Sequence, residues 1–600
     1  MNAPETLNEL FFAAVERFSS KRAALRYKDG DVWRDITHQE VARRVHHVAV
    51  GLIELGIRPG ERVAILSENR PEWAVTDFAC LTAGFADVPI YPTLPAAQIA
   101  YLLNDSGARA IFVENSLQYD KVAAIRDEVS ATEHVIAFDV QEGMEGPGVI
   151  SFQELVQRGA AAEDKHPNYR KDALSAKGGD LATLIYTSGT TGPPKGVMLT
   201  HYNFCSNVVS ALKVLSVGPD DSALSLLPLS HSFERMAGHY TMFHAGVTIN
   251  YAESIEQVPA NLQEVKPTVV LSVPRLFEKI YARVLENAMA GGALKRRIFF
   301  WARRNAERWA DRTLAGQPIP AVLAFKKKLA DRLVFSKLRA RTGGRVRFFV
   351  SGGAPLNPEI AKFFYAAGLA IQEGYGLTET SPVIAVNAIE NLRIGTVGRP
   401  IPGVEVKIAP DGEIICRGPN VMQGYYNKPE ATQEAIDEQG WFHTGDIGDL
   451  DDDGFLKITD RKKDLIVTAG GKKVAPQPIE NMIKTNKYVL NAVMVGDKRK
   501  FPALLVVPNL EALSKWAGER NLSVDQPSAF LSQPDVVAKM EREVMGSLRD
   551  LASFEMPKKM TLLEQDFTIE NGELTPTLKV KRRVVEDKYR DKIEALYAEE

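Results

Sequence analysis

LIYTSGTTGPPKGVMLTH, residues 184–201, opens on a short apolar run and passes through small hydroxyl and glycine residues to Lys195. The apolar start reads as a buried strand, and the Ser/Thr/Gly run as the loop that it feeds. Glycine lets a backbone approach a phosphate closely, and exposed N–H groups and hydroxyls satisfy the phosphate oxygens. Lys195 adds a point charge at the end of the run. The bland alternative is a flexible surface loop, but so long a specific run after a buried strand argues against it. The spacing differs from the G-x-x-x-x-G-K-[ST] phosphate loop, so the nucleotide chemistry is of another kind.

Outward from that loop, short apolar runs alternate with helical patterns. ERVAILSEN (61–69) reads as a strand, PEWAVTDFACLTAG (71–84) has a helical period, and ADVPIYP (86–92) is a second strand. That order with short links implies parallel pairing. Similar units recur at ARAIFVEN (108–115), HVIAFDV (134–140) and PTVVLSVP (267–274), the last followed by a helix from Arg275 to about Ala288. RVRFFVSGGAP (345–355) runs a strand into a glycine loop. From about Pro402 the texture changes: VEVKIAPDGEIICRG (404–418) and GFLKITDRKKDLIV (454–467) read as hairpins with Asp-Gly turns. The last part mixes a hairpin around residues 497–501, a helix near 535–551 and a basic tail. The expected class is α/β: a large N-terminal domain (1–462) of helix-covered sheets with a β-rich subdomain, and a small, mobile α+β C-terminal lid (463–600).

The chain has 600 residues, 45% hydrophobic and 25% charged, enough to bury a large core. Its 73 Lys/Arg against 76 Asp/Glu give a net charge of −3, which argues against a generally basic nucleic-acid binder. The cysteines Cys80, Cys205 and Cys416 are odd in number and far apart, so no disulfide framework or cysteine-based zinc site follows. Glu5 and Glu9 stand where a signal peptide would carry positive charge. Asp77 and Asp87 break the most apolar long stretch, 73–92, so no bilayer span is expected. The expected location is cytoplasmic, with a peripheral place on the inner face of the membrane as an added option. One segment breaks the charge balance: residues 295–347 carry 16 Lys/Arg against three acids. Phe299, Phe300, Trp301 and Trp309 lie among these charges at roughly helical spacing. Such a segment reads either as a surface for anionic lipid or a polyanionic ligand, or as a solvated helical face with aromatics packed inward.

The glycine-rich loop at 184–201 resembles the phosphate loop of the adenylate-forming (AMP-binding) superfamily, and the other motifs of that family follow in order. The long-chain fatty acyl-CoA synthetases are the members most resembled, on the wording of SVPRLFEKIY (272–281), AGGKKVAPQPIE (469–480) and the lysine segment near the end. The resemblance implies that Thr187, Ser188, Gly189, Thr190, Thr191 and Lys195 cradle the phosphates of ATP. SGGAP implies that Gly352, Gly353, Ala354 and Pro355 lie against adenine. EGYGLTET (373–380) implies Gly374, Tyr375 and Gly376 at the base, Thr378 on phosphate, and Glu379 with Thr191 on Mg²⁺. WFHTGD (441–446) supplies Asp446 for the ribose hydroxyls. DRKKD (460–464) supplies Arg461 for ribose and phosphate, and Lys463 as hinge.

NGELTPTLKVKRR (571–583) places Lys579 at the position of the catalytic lysine. Thr577-Leu578 replaces the usual serine-glycine pair, which leaves Lys581 as the alternative; Arg582, three residues beyond Lys579, favours the latter. His231, in LPLSHSFER, matches an orienting donor over the substrate carboxylate, whereas His201 reads as a helix-start residue. After rotation of the lid, Gly470, Gly471 and Lys472 would face CoA.

The residues argue the same chemistry without the family. A carboxylate is a poor acyl donor, and a phosphate cradle, a carboxylate for Mg²⁺ and a mobile cation suit its attack on the α-phosphate of ATP. No nucleophile on the enzyme is needed, and no G-x-S-x-G is present. The expected substrates are therefore a long-chain fatty acid, ATP and CoA, with Mg²⁺ as cofactor. Delivery to a carrier protein as a fatty-acyl-AMP ligase, an amino-acid-selecting adenylation domain and a catalytically inactive nucleotide or lipid sensor stand as alternatives. Asp449, Asp451, Asp453, Gly454 and Asp460 fit a calcium-loop spacing, but the flanks read as strands, so Asp453-Gly454 is better explained as a hairpin turn.

Overall fold

The computed structural model describes residues 4–187, 193–524, 526–549, 551–568, 571–575 and 580–598. The expected strand–helix–strand unit is present as Arg62–Leu66, Pro71–Thr82 and Ala86–Ile90, with the strands parallel and Arg62 opposite Ala86. Pro71 starts the helix, where its fixed φ is favourable and its missing N–H is not needed. This unit sits inside an eight-stranded sheet that also holds Leu181–Thr187, Lys195–Thr200 and, at one edge, Gly424–Tyr425. A nine-stranded sheet carries the parallel run Ala370–Gly376, Phe348–Ser351, Val269–Ser272, Ser222–Ser225 and Thr248–Tyr251.

One apolar core cluster draws on both sheets, from Ile65 and Ile185 to Val270 and Phe349. A buried ionic cluster crosses it. Asp77 and Asp87, which interrupt the apolar stretch in the sequence, are fully buried and both pair with Arg235. Arg235 also donates to Thr183 Oγ1 at 2.8 Å and to the Tyr240 hydroxyl at 2.9 Å. The interruptions are therefore partners for a buried guanidinium, and removing Arg235 would leave their carboxyl groups buried without a cation, at a cost of ~3–5 kcal/mol.

The change of texture near Pro402 marks a four-stranded antiparallel sheet: Glu405–Ile408, Glu413–Arg417, Phe442–Leu450 and Leu456–Arg461. Both Asp-Gly turns form, with Gly412 at φ +90° and Gly454 at φ +80°, conformations that favour glycine. Asp451 and Asp453 both pair with Arg393, which explains the calcium-like spacing as a turn held by an arginine.

Beyond it, the hairpin Ile466–Val467/Lys473–Val474 and the helix Pro476–Lys484 lead into a three-stranded sheet, Val489–Val495, Ala503–Pro508 and Lys559–Leu562. These elements have their own core around Ile479, Val506 and Met540. Asp460 links the two parts: its carboxylate accepts from the backbone N–H of Gln477 at 3.1 Å.

The basic segment forms the helices Gly292–Leu314 and Ala321–Ala330. Its aromatics face mainly inward. Phe299 is buried, and Trp309 lies 6.1 Å from Tyr365 in a stacked pair. The three cysteines are buried and unpaired with one another. Among the described residues, no helix is long and apolar enough to cross a membrane.

Candidate active site

The strand Leu181–Thr187 ends at Thr187, and Lys195 opens the returning antiparallel strand directly opposite it. The two ends of the glycine-rich loop are thus pinned in register. Ser188, Gly189, Thr190 and Thr191, assigned to phosphate and metal, lie outside the described residues. The returning strand ends at Thr200, whose hydroxyl accepts from the Asn203 N–H at 3.2 Å while the Asn203 side chain accepts from the Thr200 N–H at 2.8 Å. This capping box starts the helix His201–Leu212, so His201 is a helix-start residue as expected. Burial lowers its imidazole to about 4 and keeps it neutral.

Lys195 faces a tyrosine that sequence reasoning did not select. Its Nζ lies 4.8 Å from the ring centre of Tyr425, on the edge strand Gly424–Tyr425, and the Tyr425 hydroxyl donates to Glu379 Oε1 at 2.9 Å. Met422 N–H also donates to the Glu379 carbonyl at 2.8 Å. Glu379 sits in the short helix Thr378–Thr380, just after the strand Ala370–Gly376. Gly376 makes that turn possible, because a Cβ there would lie 1.7 Å from the Pro382 carbonyl oxygen. Burial raises the Glu379 carboxyl above the usual range, opposed by the Tyr425 hydroxyl and the charge of Arg461. Tyr425 had no chemical signal of its own: its strand is two residues long, and its partner is 46 positions away.

The same strand carries Gly374 and Tyr375. Tyr375 is largely buried and donates its hydroxyl to Asp446 Oδ2 at 2.7 Å; burial and this carboxylate push the phenol well up. Asp446 pairs across the antiparallel sheet with Arg461, whose Nε lies 3.4 Å from Asp446 Oδ1. The residues assigned to base and ribose therefore form one connected row.

Gly352, Gly353, Ala354 and Pro355 follow the strand Phe348–Ser351, which runs parallel to and beside Ala370–Gly376. Gly352 lies flush against the Phe233 ring, where a Cβ would meet ring atoms at 3.0 Å. Gly353 has φ +81° and, with Ala354 and Pro355, is exposed. His231 is half-buried, and its Nδ1 accepts from the Phe233 N–H at 3.0 Å, which places the proton of the neutral ring on Nε2. Next to it, the Ser232 and Thr378 hydroxyls are 3.2 Å apart. The 231–233 segment is thereby held against both the 352–355 loop and the Thr378 turn.

A second residue missed in the sequence holds that segment from behind. Asn69, in the link between Arg62–Leu66 and Pro71–Thr82, donates to the Leu227 carbonyl at 2.6 Å and to Ser225 Oγ at 3.0 Å. Its Oδ1 accepts from the Leu229 N–H at 2.8 Å. Ser225 in turn donates to Glu234 Oε1 at 2.6 Å, and burial pushes the Glu234 carboxyl up to about 8.

Gly470, Gly471 and Lys472 form the exposed tip of the 466–474 hairpin, with Lys472 Nζ 5.8 Å from the Phe554 ring. Lys463 follows Lys462, which pairs with Asp411 at 2.6 Å and Glu413 at 3.0 Å. Lys579 lies outside the described residues. Lys581 donates its backbone N–H to the Glu573 carbonyl at 2.7 Å at the start of the helix Arg582–Lys588. Arg582 is engaged within the lid, with Glu480 at 2.8 Å and the Met494 carbonyl at 2.5 Å.

Comparison with known proteins gives the family. Residues 11–426 match the AMP-binding enzyme family, and residues 463–600 match the AMP-binding enzyme C-terminal domain. A long-chain-fatty-acid–CoA ligase of Mycobacterium tuberculosis, FadD15, is 41% identical over 573 residues, covering 95% of this chain and 93% of its own. The peroxisomal long chain acyl-CoA synthetase 7 of Arabidopsis thaliana is 34% identical, covering 99% of this chain and 86% of its own. Among solved structures, the A-PCP didomain of a carboxylic acid reductase from Segniliparus rugosus in complex with AMP superimposes with a TM-score of 0.77 at 22% identity. That match covers 99% of this chain and 82% of the other. ATP-bound MatB from Rhodopseudomonas palustris gives a TM-score of 0.68 at 23% identity, covering 98% and 99%, and, like the reductase, speaks to the fold. The connected row of loops at the strand ends and the match along both parts of the sequence lead to one conclusion: the chain belongs to the AMP-binding enzyme family.

Proposed function

We propose that this enzyme is a long-chain-fatty-acid–CoA ligase, converting ATP, a long-chain fatty acid and CoA into acyl-CoA, AMP and diphosphate. The observation that carries the reading is the connected set Lys195–Tyr425–Glu379 and Tyr375–Asp446–Arg461 in a chain 41% identical to a protein named for this activity. In the first half-reaction a carboxylate oxygen bonds to the α-phosphorus and diphosphate leaves. In the second, the CoA thiol attacks the acyl carbon and AMP leaves. Catalysis is mostly positioning and charge stabilisation.

In this reading Thr187, the loop 188–191, Lys195 and Thr378 hold the phosphates. Gly352–Pro355 and Gly374–Gly376 frame the base, Asp446 and Arg461 hold the ribose, and His231 orients the substrate carboxylate through Nε2–H. Mg²⁺ fits Glu379. Among the described residues no three acidic, His or Cys side chains cluster as a metal cage, and Mg²⁺ is typically held by one or two protein groups and substrate phosphates. Glu379 and Thr191 would hold it, and it would neutralise phosphate charge. We divide the chain at 462/463, with Lys463 as the hinge about which the 463–600 lid presents first Lys579 and then the Gly470–Gly471–Lys472 face. The basic segment 295–347 contacts anionic membrane peripherally, from the cytoplasmic side.

The test is turnover of acids from acetate to C20, reading diphosphate and CoA thioester together. Diphosphate and thioester formed in equal amounts with long-chain acids support the proposal. Release of diphosphate without thioester, with transfer only to a carrier protein, would replace it by the acyl-AMP ligase reading. No turnover at all would leave a nucleotide or lipid sensor.

A further inference from the structure

We propose that the helix Ala321–Ala330 docks on an anionic lipid bilayer by inserting one apolar edge, Val322, Phe325 and Leu329, among the headgroups. Val322 and Phe325 are 65% and 69% exposed, the spacing i, i+3, i+7 puts all three residues on one face, and Leu333 continues the line beyond the helix. An unshielded stripe of large apolar side chains, unlike a single exposed leucine, marks a contact surface.

Charge identifies the partner. Lys326, Lys328 and Arg332 are exposed beside the stripe and, like Arg308 on the neighbouring helix, form no ion pair among the described residues. Between the two helices a cleft of about 500 Å³ opens, lined by Arg308, Arg312, Lys326, Val322 and one carboxylate, Asp311, which pairs with Lys362 at 2.7 Å, so that basic groups outnumber the acid beside an apolar wall. That combination suits a lipid phosphate with its chain beside it: an amphipathic helix lies in the interface, apolar edge down, with Lys and Arg at phosphate level. A second copy of this chain fits poorly, because a two-fold contact would bring like-charged faces together.

The segment's charge count is refined by this geometry. Lys327 is buried, pairs with Asp331 at 2.6 Å and lies over the Trp309 ring at 4.9 Å, so it belongs to the packing and not to the surface. The exposed apolar side comes chiefly from residues 322–333, not from the aromatics among the earlier charges.

The inference rests on the peripheral membrane contact proposed above and gives it a face; it is independent of the catalytic reading. The experiment is co-sedimentation of the full chain with vesicles of phosphatidylglycerol and phosphatidylcholine, and with phosphatidylcholine alone. Wild type should bind the anionic vesicles and lose binding as salt rises. The triple variant Val322→Ser/Phe325→Ser/Leu329→Ser and the triple variant Lys326→Gln/Lys328→Gln/Arg332→Gln should each bind at least ~10-fold more weakly. Both should keep wild-type thermal midpoints and turnover of a short, soluble acid without vesicles, since every altered side chain is exposed. Unchanged vesicle binding by the stripe variant would overturn the inference while leaving the peripheral contact to other basic residues. Absence of binding by wild type would overturn both. A concentration-dependent dimer lost in the stripe variant would reassign the face to self-association and also overturn it.

Discussion

The Tyr425 hydroxyl donates to Glu379 Oε1 at 2.9 Å while the same ring lies 4.8 Å from Lys195 Nζ, so one tyrosine bridges the proposed metal and phosphate groups. A hydrogen bond to a charged group is worth ~1.5–3 kcal/mol. Tyr425→Phe keeps the ring over Lys195 but removes the donor that favours the ionised carboxylate. Adenylation should fall ~10–100-fold, most at limiting Mg²⁺, with recovery as Mg²⁺ or pH rises. Diphosphate release titrated against Mg²⁺ checks this; a uniform loss at every Mg²⁺ concentration would count against the bridge.

Glu379→Gln separates charge from shape at the same position. The amide still accepts from Tyr425 but offers the metal no charge. Mg²⁺-dependent adenylation should be sharply weaker while the fold stays intact. Near-normal diphosphate release at limiting Mg²⁺ would remove Glu379 from the metal site.

Asn69 makes a different kind of contribution, because it touches the backbone that carries His231 and not the proposed substrate positions. Asn69→Ala leaves the Leu229 N–H and Leu227 carbonyl without their clamp. The expected effect is a lower kcat with little change in KM for ATP, since the phosphate groups on the other loops stay in place. Gln cannot reproduce the geometry at the same reach, so Asn69→Gln should not rescue. A rise in KM for ATP with kcat unchanged would contradict the positioning role.

How much of this could be read beforehand depended on range. Strands such as Arg62–Leu66 and the Asp453-Gly454 turn are written in local patterns of period and turn chemistry. Asp77 and Asp87 were legible only as defects in an apolar stretch, because their partner Arg235 lies about 150 residues away. Tyr425 and Asn69 were missed for the same reason. A tyrosine beside a turn and an asparagine before Arg-Pro carry no distinctive spacing, and their roles exist only once two sheets are packed. The aromatics of 299–309 were ambiguous because helical spacing gives a face but not which side of it meets the core.

Stability should depend on pH through Glu234. Burial raises its carboxyl from 4.5 to about 8, so the folded chain holds a proton that the unfolded chain has released across that range. The unfolded state then binds fewer protons at this group, and its contribution to stability falls as pH rises from 4.5 to about 8, levelling off above it, against an opposite slope at lower pH from His38, His201 and His239, which burial holds neutral. Glu373, also raised to about 8 by burial, adds a slope of the same sign as Glu234. Glu234→Gln cannot ionise, so its denaturation midpoint should decline less than that of the wild type between the two ends of that range. A variant with the full wild-type slope would mean that Glu234 is ionised in the folded protein.

The sharpest prediction concerns the lid, whose two faces are proposed to serve different half-reactions. Lys579→Ala should lose acyl-adenylate formation by ~10²–10³-fold, or about 3–4 kcal/mol, the usual cost of one positioned charge donor. It should still convert preformed acyl-adenylate and CoA to thioester, because that step uses the Gly470–Gly471–Lys472 face. Acetylation of Lys579 removes the same charge and should give the same split. Lys463→Pro should do the reverse: fixing φ at the hinge hinders rotation and spares adenylation if the adenylating pose is the one retained. Arg582 supplies the control for local damage. It binds Glu480 and the Met494 carbonyl, so Arg582→Ala should lower the thermal midpoint of the lid and weaken both half-reactions together. If Lys579→Ala and Lys463→Pro behaved like that control, losing both steps equally, the lid would not alternate. If Lys581→Ala gave the adenylation defect and Lys579→Ala did not, alternation would stand with Lys581 as its lysine.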